Sequence, residues 1–181
     1  AVAGLIADNE KMLGDLDAVA GDGDHGIGMH RGSRAAAKEA ERLASEGAGA
    51  QTLLVGAGQA WSENAGGTSG AIWGAMLTAL GNAFGDQDAA KDATVGEGLQ
   101  GSLDAVVRMG GAKVGDKTLV DALEPLVNEF TAALASGASL ADAADRAASK
   151  AQAGADSTKD FVAKLGRSRP LGEKSVGTPD P

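Results

Sequence analysis

Asp17, Asp22 and Asp24, together with His25, concentrate chemical potential in the stretch LDAVAGDGDHG, residues 16–26. On one continuous helix, residues five apart diverge by about 140°, so Asp17 and Asp22 would not converge. A helix ending near Ala20, followed by a tight Gly21–Gly23 turn, could instead gather all three carboxylates around one point. Carboxylates gathered this way repel one another unless a cation sits among them. Hard oxygen ligands suit Mg²⁺, which completes its shell with substrate phosphates. An ordinary Asp–Gly surface turn has the same spacing, and both readings stand at this point. Two other motifs fail. The text G-x-G-x-x-G would need a strand before it, and helix-like sequence precedes it. An EF-hand begun at Asp22 would need Gly and Glu where Ile27 and Ser33 occur.

Two further glycine segments bear on phosphate. GGAKVGDKT (110–118) nearly spells a P-loop, but Asp116 separates Gly115 from Lys117. It still offers backbone N–H groups, a lysine, a threonine and a helix start, all of which favour anions. GGTSG (66–70) opens a helix, and Thr68 and Ser69 could cap that helix or bind a phosphate there. The tail from Lys164 adds Arg167, Arg169 and Lys174 to an otherwise acidic protein, as solvated charge or as an answer to nucleotide phosphates. His25 is a proton carrier, a nucleotide contact or a turn residue, and His30 reads as surface.

The elements that must position these residues are helices. Aromatics make up 3% of the 181 residues, with no Tyr, and alanine and glycine abound, a composition suited to close helix packing rather than sheet. Three-and-four spacing marks one buried face in each of several segments. These are Val2, Leu5, Ile6, Met12, Leu13 and Leu16; Ile72 to Phe84; Leu99, Leu103, Val106 and Val107; and Leu119 to Leu134, with a kink or break at Pro125. Residues 33–46 and 52–64 read as two more helices, and Ser139 with Asp142 as the cap of another running to about Ala153. Residues 21–28, 65–70, 110–117 and 166–181 read as connections. The expectation is an all-α single domain with antiparallel neighbours.

The net charge of −9 argues against a nucleic-acid partner. No apolar run approaches the ~18 residues of a membrane span. The absence of cysteine fits a reducing compartment, the cytoplasm.

Together, LDAVAGDGDHG, GGTSG, GDKTLVDAL and RSRPLGEKSVGTPDP resemble the nucleotide-binding L subunit, or L domain, of the dihydroxyacetone kinase family, in the family's order and over nearly the whole chain. The resemblance implies an eight-helix antiparallel barrel holding ATP or ADP at one end with two Mg²⁺ ions. Carried over by motif, Asp17, Asp22 and Asp24 would be the metal ligands, and His25, Gly26, Ile27 and Gly28 would line the nucleotide. Thr68 and Ser69 would meet phosphate, Gly110 and Leu119 would border the base, and Arg167 with Asp180 and Pro181 would close over the nucleotide. Arg167 would also act on transition-state charge. The family motif continues past Asp-Pro into a last helix, so residues 1–181 read as one domain trimmed at both ends, lacking that helix. Arg169–Pro170 stand where the family commonly has Ser-Tyr.

The implied function is phosphoryl transfer to dihydroxyacetone or a related short ketose such as erythrulose. A separate K-type subunit or domain would bind the ketose, in a heterocomplex or homo-oligomer. The alternative is a subunit whose bound ADP is a coenzyme phosphorylated by a phosphotransferase-system protein. Fatty-acid kinase nucleotide domains resemble this chain less, having Thr at the position of His25. A non-catalytic cation-binding helical protein is the remaining reading.

Overall fold

The computed structural model describes residues 1–87, 91–166 and 168–181. Among them the chain is all-α, with no strand. Seven α-helices follow in order: α1 (Val2–Ala20), α2 (His25–Ser45), α3 (Ala50–Ala65), α4 (Gly67–Phe84), α5 (Asp92–Gly110), α6 (Val120–Ala135) and α7 (Leu140–Ser157). Short 3-10 segments occupy Thr158–Asp160 and Arg169–Ser175. Each α-helix packs on the next in sequence, and the short connections make neighbours antiparallel. This is the helical barrel expected, with the Arg169–Ser175 segment reaching α1. An eighth α-helix is not among the described elements. No helix among the described residues is long and apolar enough to cross a membrane.

Among the described residues the core has three parts. Leu103, Val106, Val120, Leu123 and Val127 join α5 to α6. Met29, Ala36, Ala57, Trp61 and Ala65 join α2 to α3, and the Trp61 and Trp73 rings stack with centroids 5.2 Å apart. Phe130, Ala133, Ala143 and Ala147 join α6 to α7. Small residues set these close approaches, which explains the alanine-rich composition.

Several boundaries differ from the sequence reading. Helix α2 begins at His25, not near residue 33, and α4 begins at Gly67 inside the supposed connection. Glycine lowers intrinsic helix propensity, but here packing overrides it. A Cβ at Gly26 would overlap the Glu10 backbone carbonyl of α1. Helix α7 runs to Ser157, and Ser139 caps it as expected, accepting from the Asp142 N–H at 3.1 Å. The tail after residue 166 is not a plain connection, since residues 169–175 form 3-10 turns. In α1 the apolar spacing is real, but Val2, Leu5 and Met12 are exposed, as is Val107 in α5. Periodicity marks a face, not whether a neighbour covers it.

Pro125 neither breaks nor ends α6, which continues to Ala135. Lacking an N–H, Pro125 leaves the Asp121 carbonyl without its intrahelical donor. Helix α7 crosses there at Gly154, where a Cβ would overlap that same carbonyl. Gly154→Ala is therefore expected to lower stability by about 1–3 kcal/mol through overpacking. Gly96→Ala, which faces open space in α5, should gain about 0.5–1 kcal/mol of helix propensity. Urea denaturation of the two variants checks the opposite signs.

Candidate nucleotide and metal site

Antiparallel alternation brings the C-terminal ends of α1, α3, α5 and α7 to the same end as the N-terminal ends of α2, α4 and α6. The described residues singled out above gather at that end. Arg167 lies outside the described residues.

The acidic centre is built by the α1–α2 corner. Helix α1 ends at Ala20, and the Gly21 N–H donates to the Asp17 carbonyl at 2.5 Å. A Cβ at Gly21 would collide with the Asp17 side chain, and Gly23 turns the chain in the left-handed region at φ 78°. Carboxylate oxygens of Asp17, Asp22 and Asp24 then lie within 4.8 Å of one another. Ligand oxygens about 2.1 Å from Mg²⁺ stand roughly 3–4 Å apart across its octahedron. The set therefore fits the ion with little movement, and the donors are all hard oxygens. The first N–H of α2, that of His25, points at Asp17 Oδ2 across 3.3 Å, so the positive end of the helix faces the cluster. Burial holds the His25 imidazole below the usual histidine range, against the opposing pull of Asp17 and Asp24. At neutral pH it presents a neutral ring.

His25, Gly26, Ile27 and Gly28 form the first turn of α2, with Gly26 buried and Ile27 exposed. That turn abuts the end of α3, since a Cβ at Gly28 would lie 3.2 Å from the Ala65 carbonyl oxygen. Thr68 and Ser69 follow directly in the first turn of α4, where no side chain caps the helix. The capping role open to them from sequence is not taken, and the leading N–H groups of α4 face an anion-favouring position. Gly110 closes α5, with Gly111 in the left-handed conformation after it, and Leu119 precedes α6.

The GDKT loop does something other than the sequence suggests. Two of its amides are taken by the chain's own anion. Asp121 accepts from Gly115 N–H at 2.5 Å and from Thr118 N–H at 2.8 Å. The spacing of Thr118 and Asp121 is a helix-start pattern legible in sequence. Lys164, one of the tail cations, is also engaged, donating to the Gly115 carbonyl at 2.7 Å and to Asp116 at 3.2 Å. His30 is not simple surface either, because it pairs with Glu10 of α1.

Residues 177–181 fold down beside this end. A pocket of about 10 Å³ remains between them and α1, bordered by Asp17, Lys117, Ser168 and Asp180. That is room for about one water. Burial pushes the Asp180 carboxyl up to about 7, against the attraction of Lys117 and with repulsion from Asp121 and Asp17. Pro181 is exposed at the rim.

Comparison with known proteins gives the same outline. The DAK2 domain model matches residues 19–181. The chain belongs to the DAK2 domain family. This DAK2 domain is 51% identical over 177 residues to the L-erythrulose 1-kinase of Mycolicibacterium smegmatis, covering 98% of the domain and 31% of that kinase. It is 34% identical to the ADP-binding subunit DhaL of PEP-dependent dihydroxyacetone kinase 2 of Listeria innocua, covering 98% of the domain and 82% of that subunit. The dihydroxyacetone kinase of C. freundii in complex with AMP-PNP and Mg²⁺ matches in structure with a TM-score of 0.66 and 30% identity, over 96% of the domain and 30% of that chain. The domain thus spans about a third of the length of the erythrulose kinase.

Asp180 should leave a pH signature on the metal-free domain. Its folded pKa of about 7 lies above the ~3.9 of an unfolded aspartate. Between those values the unfolded chain has released the proton and the folded one has kept it, so this group costs stability as pH rises from about 4 to 7. Asp180→Asn should melt higher than the wild type at pH 8 and together with it below pH 4. Thermal melts in EDTA check this, and parallel curves across that range would contradict it.

Proposed function

We propose that this chain is the Mg- and nucleotide-binding part of a kinase that phosphorylates erythrulose, dihydroxyacetone or a related short ketose. A separate K-type subunit or domain would hold the ketose, and a reducing cytoplasm would be the setting. The observation that carries this is the convergence of Asp17, Asp22 and Asp24 within 4.8 Å at the helix end that also offers Thr68 and Ser69.

In this reading Asp17, Asp22 and Asp24 hold Mg²⁺, two ions by the family's pattern. When bound, the ions neutralise phosphate charge that would otherwise resist transfer. The amides leading α4, with Thr68 and Ser69, orient the phosphates. The first turn of α2, from His25 to Gly28, approaches closely because two of its four residues are glycine. Gly110 and Leu119 flank the base, while Asp180 and Pro181 close one side. Arg167, by its motif position, stabilises charge spread over the transferring group, which a planar guanidinium matches better than an ammonium.

The phosphoryl source has two candidates. Relatives named as erythrulose kinases are 48–51% identical, and those named as PEP-dependent ADP-binding subunits are 28–34% identical. That gap supports direct use of ATP. ADP should therefore exchange freely and wash out on desalting. One ADP retained per chain after long dialysis would favour the coenzyme alternative.

Asp22→Ala and Asp24→Ala should each weaken Mg-nucleotide binding and cost at least ~10²-fold in transfer rate, while the helical signal stays intact. Calorimetry with ATP and ADP, with and without Mg²⁺, is the test. Wild-type affinity in either variant would remove the metal assignment.

A further inference from the structure

Lys117 is 4% exposed and has φ 62°, the one non-glycine residue in the left-handed region among those described. Glycine is the residue that occupies such a conformation without strain. A lysine there carries a backbone cost, which its side-chain contacts offset. The side chain does not point to open solvent. Its Nζ donates to the Thr158 carbonyl at 2.8 Å and to the Thr178 carbonyl at 2.5 Å. Thr158 directly follows the last residue of α7, whereas Thr178 belongs to the segment that runs down beside Asp17.

The same two stretches are stitched twice more. Gly177 N–H donates to the Lys159 carbonyl at 2.7 Å, and Asp180 N–H donates to Thr158 Oγ1 at 2.8 Å. Lys117 differs from these bonds in three ways. It comes from a third place, the α5–α6 loop, and it ties both partners at once. It is also the cation beside the buried carboxyl of Asp180. Charge-assisted bonds from a buried ammonium are stronger than neutral ones. Removing it would leave two carbonyls with one donor fewer in a place water barely reaches.

We propose that Lys117 is a positioning residue that latches the 177–181 segment against the end of α7, preorganising the closed side of the nucleotide site. The inference rests on the nucleotide reading above. The latch works before any nucleotide arrives. A segment held closed only part of the time would weaken binding by that fraction, so the latch raises affinity without touching the nucleotide.

The test compares the chain with two variants. Lys117→Met keeps the stem and removes the donors. Lys117→Gly also relieves the backbone strain, so it keeps the loop conformation if the side chain served folding alone. Three readouts are compared at a temperature where far-ultraviolet circular dichroism shows both variants folded. Endoproteinase Glu-C cleavage at the exposed Glu173 should accelerate, and the Kd for MgATP should rise, each by about tenfold or more. Mn²⁺ binding without nucleotide should stay at the wild-type level, because α1 and the α1–α2 turn supply its ligands. Folded variants with wild-type cleavage and wild-type Kd would overturn the latch. So would an equal loss of Mn²⁺ binding, which marks general disruption. A wild-type chain that binds no nucleotide overturns the nucleotide reading itself, and the cleavage rates then decide whether the latch exists.

Discussion

Convergence of the carboxylates of Asp17, Asp22 and Asp24 at the α1–α2 corner is the constraint around which the candidate site is arranged. Their oxygens lie within 4.8 Å, a separation at which like charges repel, less strongly at Asp22 and Asp24, which solvent reaches. The backbone imposes the approach. Helix α1 ends, glycines reverse the chain, and α2 starts at once with its positive end directed at Asp17. A cation shared among the three would offset that repulsion, the role proposed above for Mg²⁺.

The remaining elements can be understood as responses to that negative end. Helix α4 brings an uncapped N-terminus to it. The segment at 177–181 adds one more carboxyl, Asp180, which burial keeps from ionising freely. The buried ammonium of Lys117 sits beside it and ties the segment down. Far from this end, the molecule relies on apolar contacts between small residues, such as Ala133, Ala143 and Ala147. The barrel is the mount, and the candidate site lies at its rim.

Much of this was legible in the sequence, and the failures have physical causes. Spacing found the helices because burial of one face leaves a period in the residues. It could place the three aspartates round one point because a helix end followed by glycines leaves few alternatives. Other glycines, Gly26 and Gly28 in α2 and Gly67 and Gly70 in α4, misplaced the starts of those helices, since propensity counts against glycine while close helix crossing demands it. Gly26, pressed on the Glu10 carbonyl, is the clearest case. In α1, Val2, Leu5 and Met12 obey the period yet lie exposed, because a sequence names no neighbour. Lys117 could not be read as a latch. Its two acceptors lie 41 and 61 residues away, and main-chain carbonyls have no signature in the sequence.

The central claim is that Asp17, Asp22 and Asp24 form one divalent-cation site serving a nucleotide. Anomalous diffraction from crystals grown with Mn²⁺ and a non-hydrolysable ATP analogue tests it most directly. The account predicts manganese peaks bonded to oxygens of all three aspartates, with the analogue's phosphates completing the shell and its base beside Gly110 and Leu119. An analogue bound elsewhere on the barrel, or no manganese between these carboxylates with the analogue in place, would contradict it.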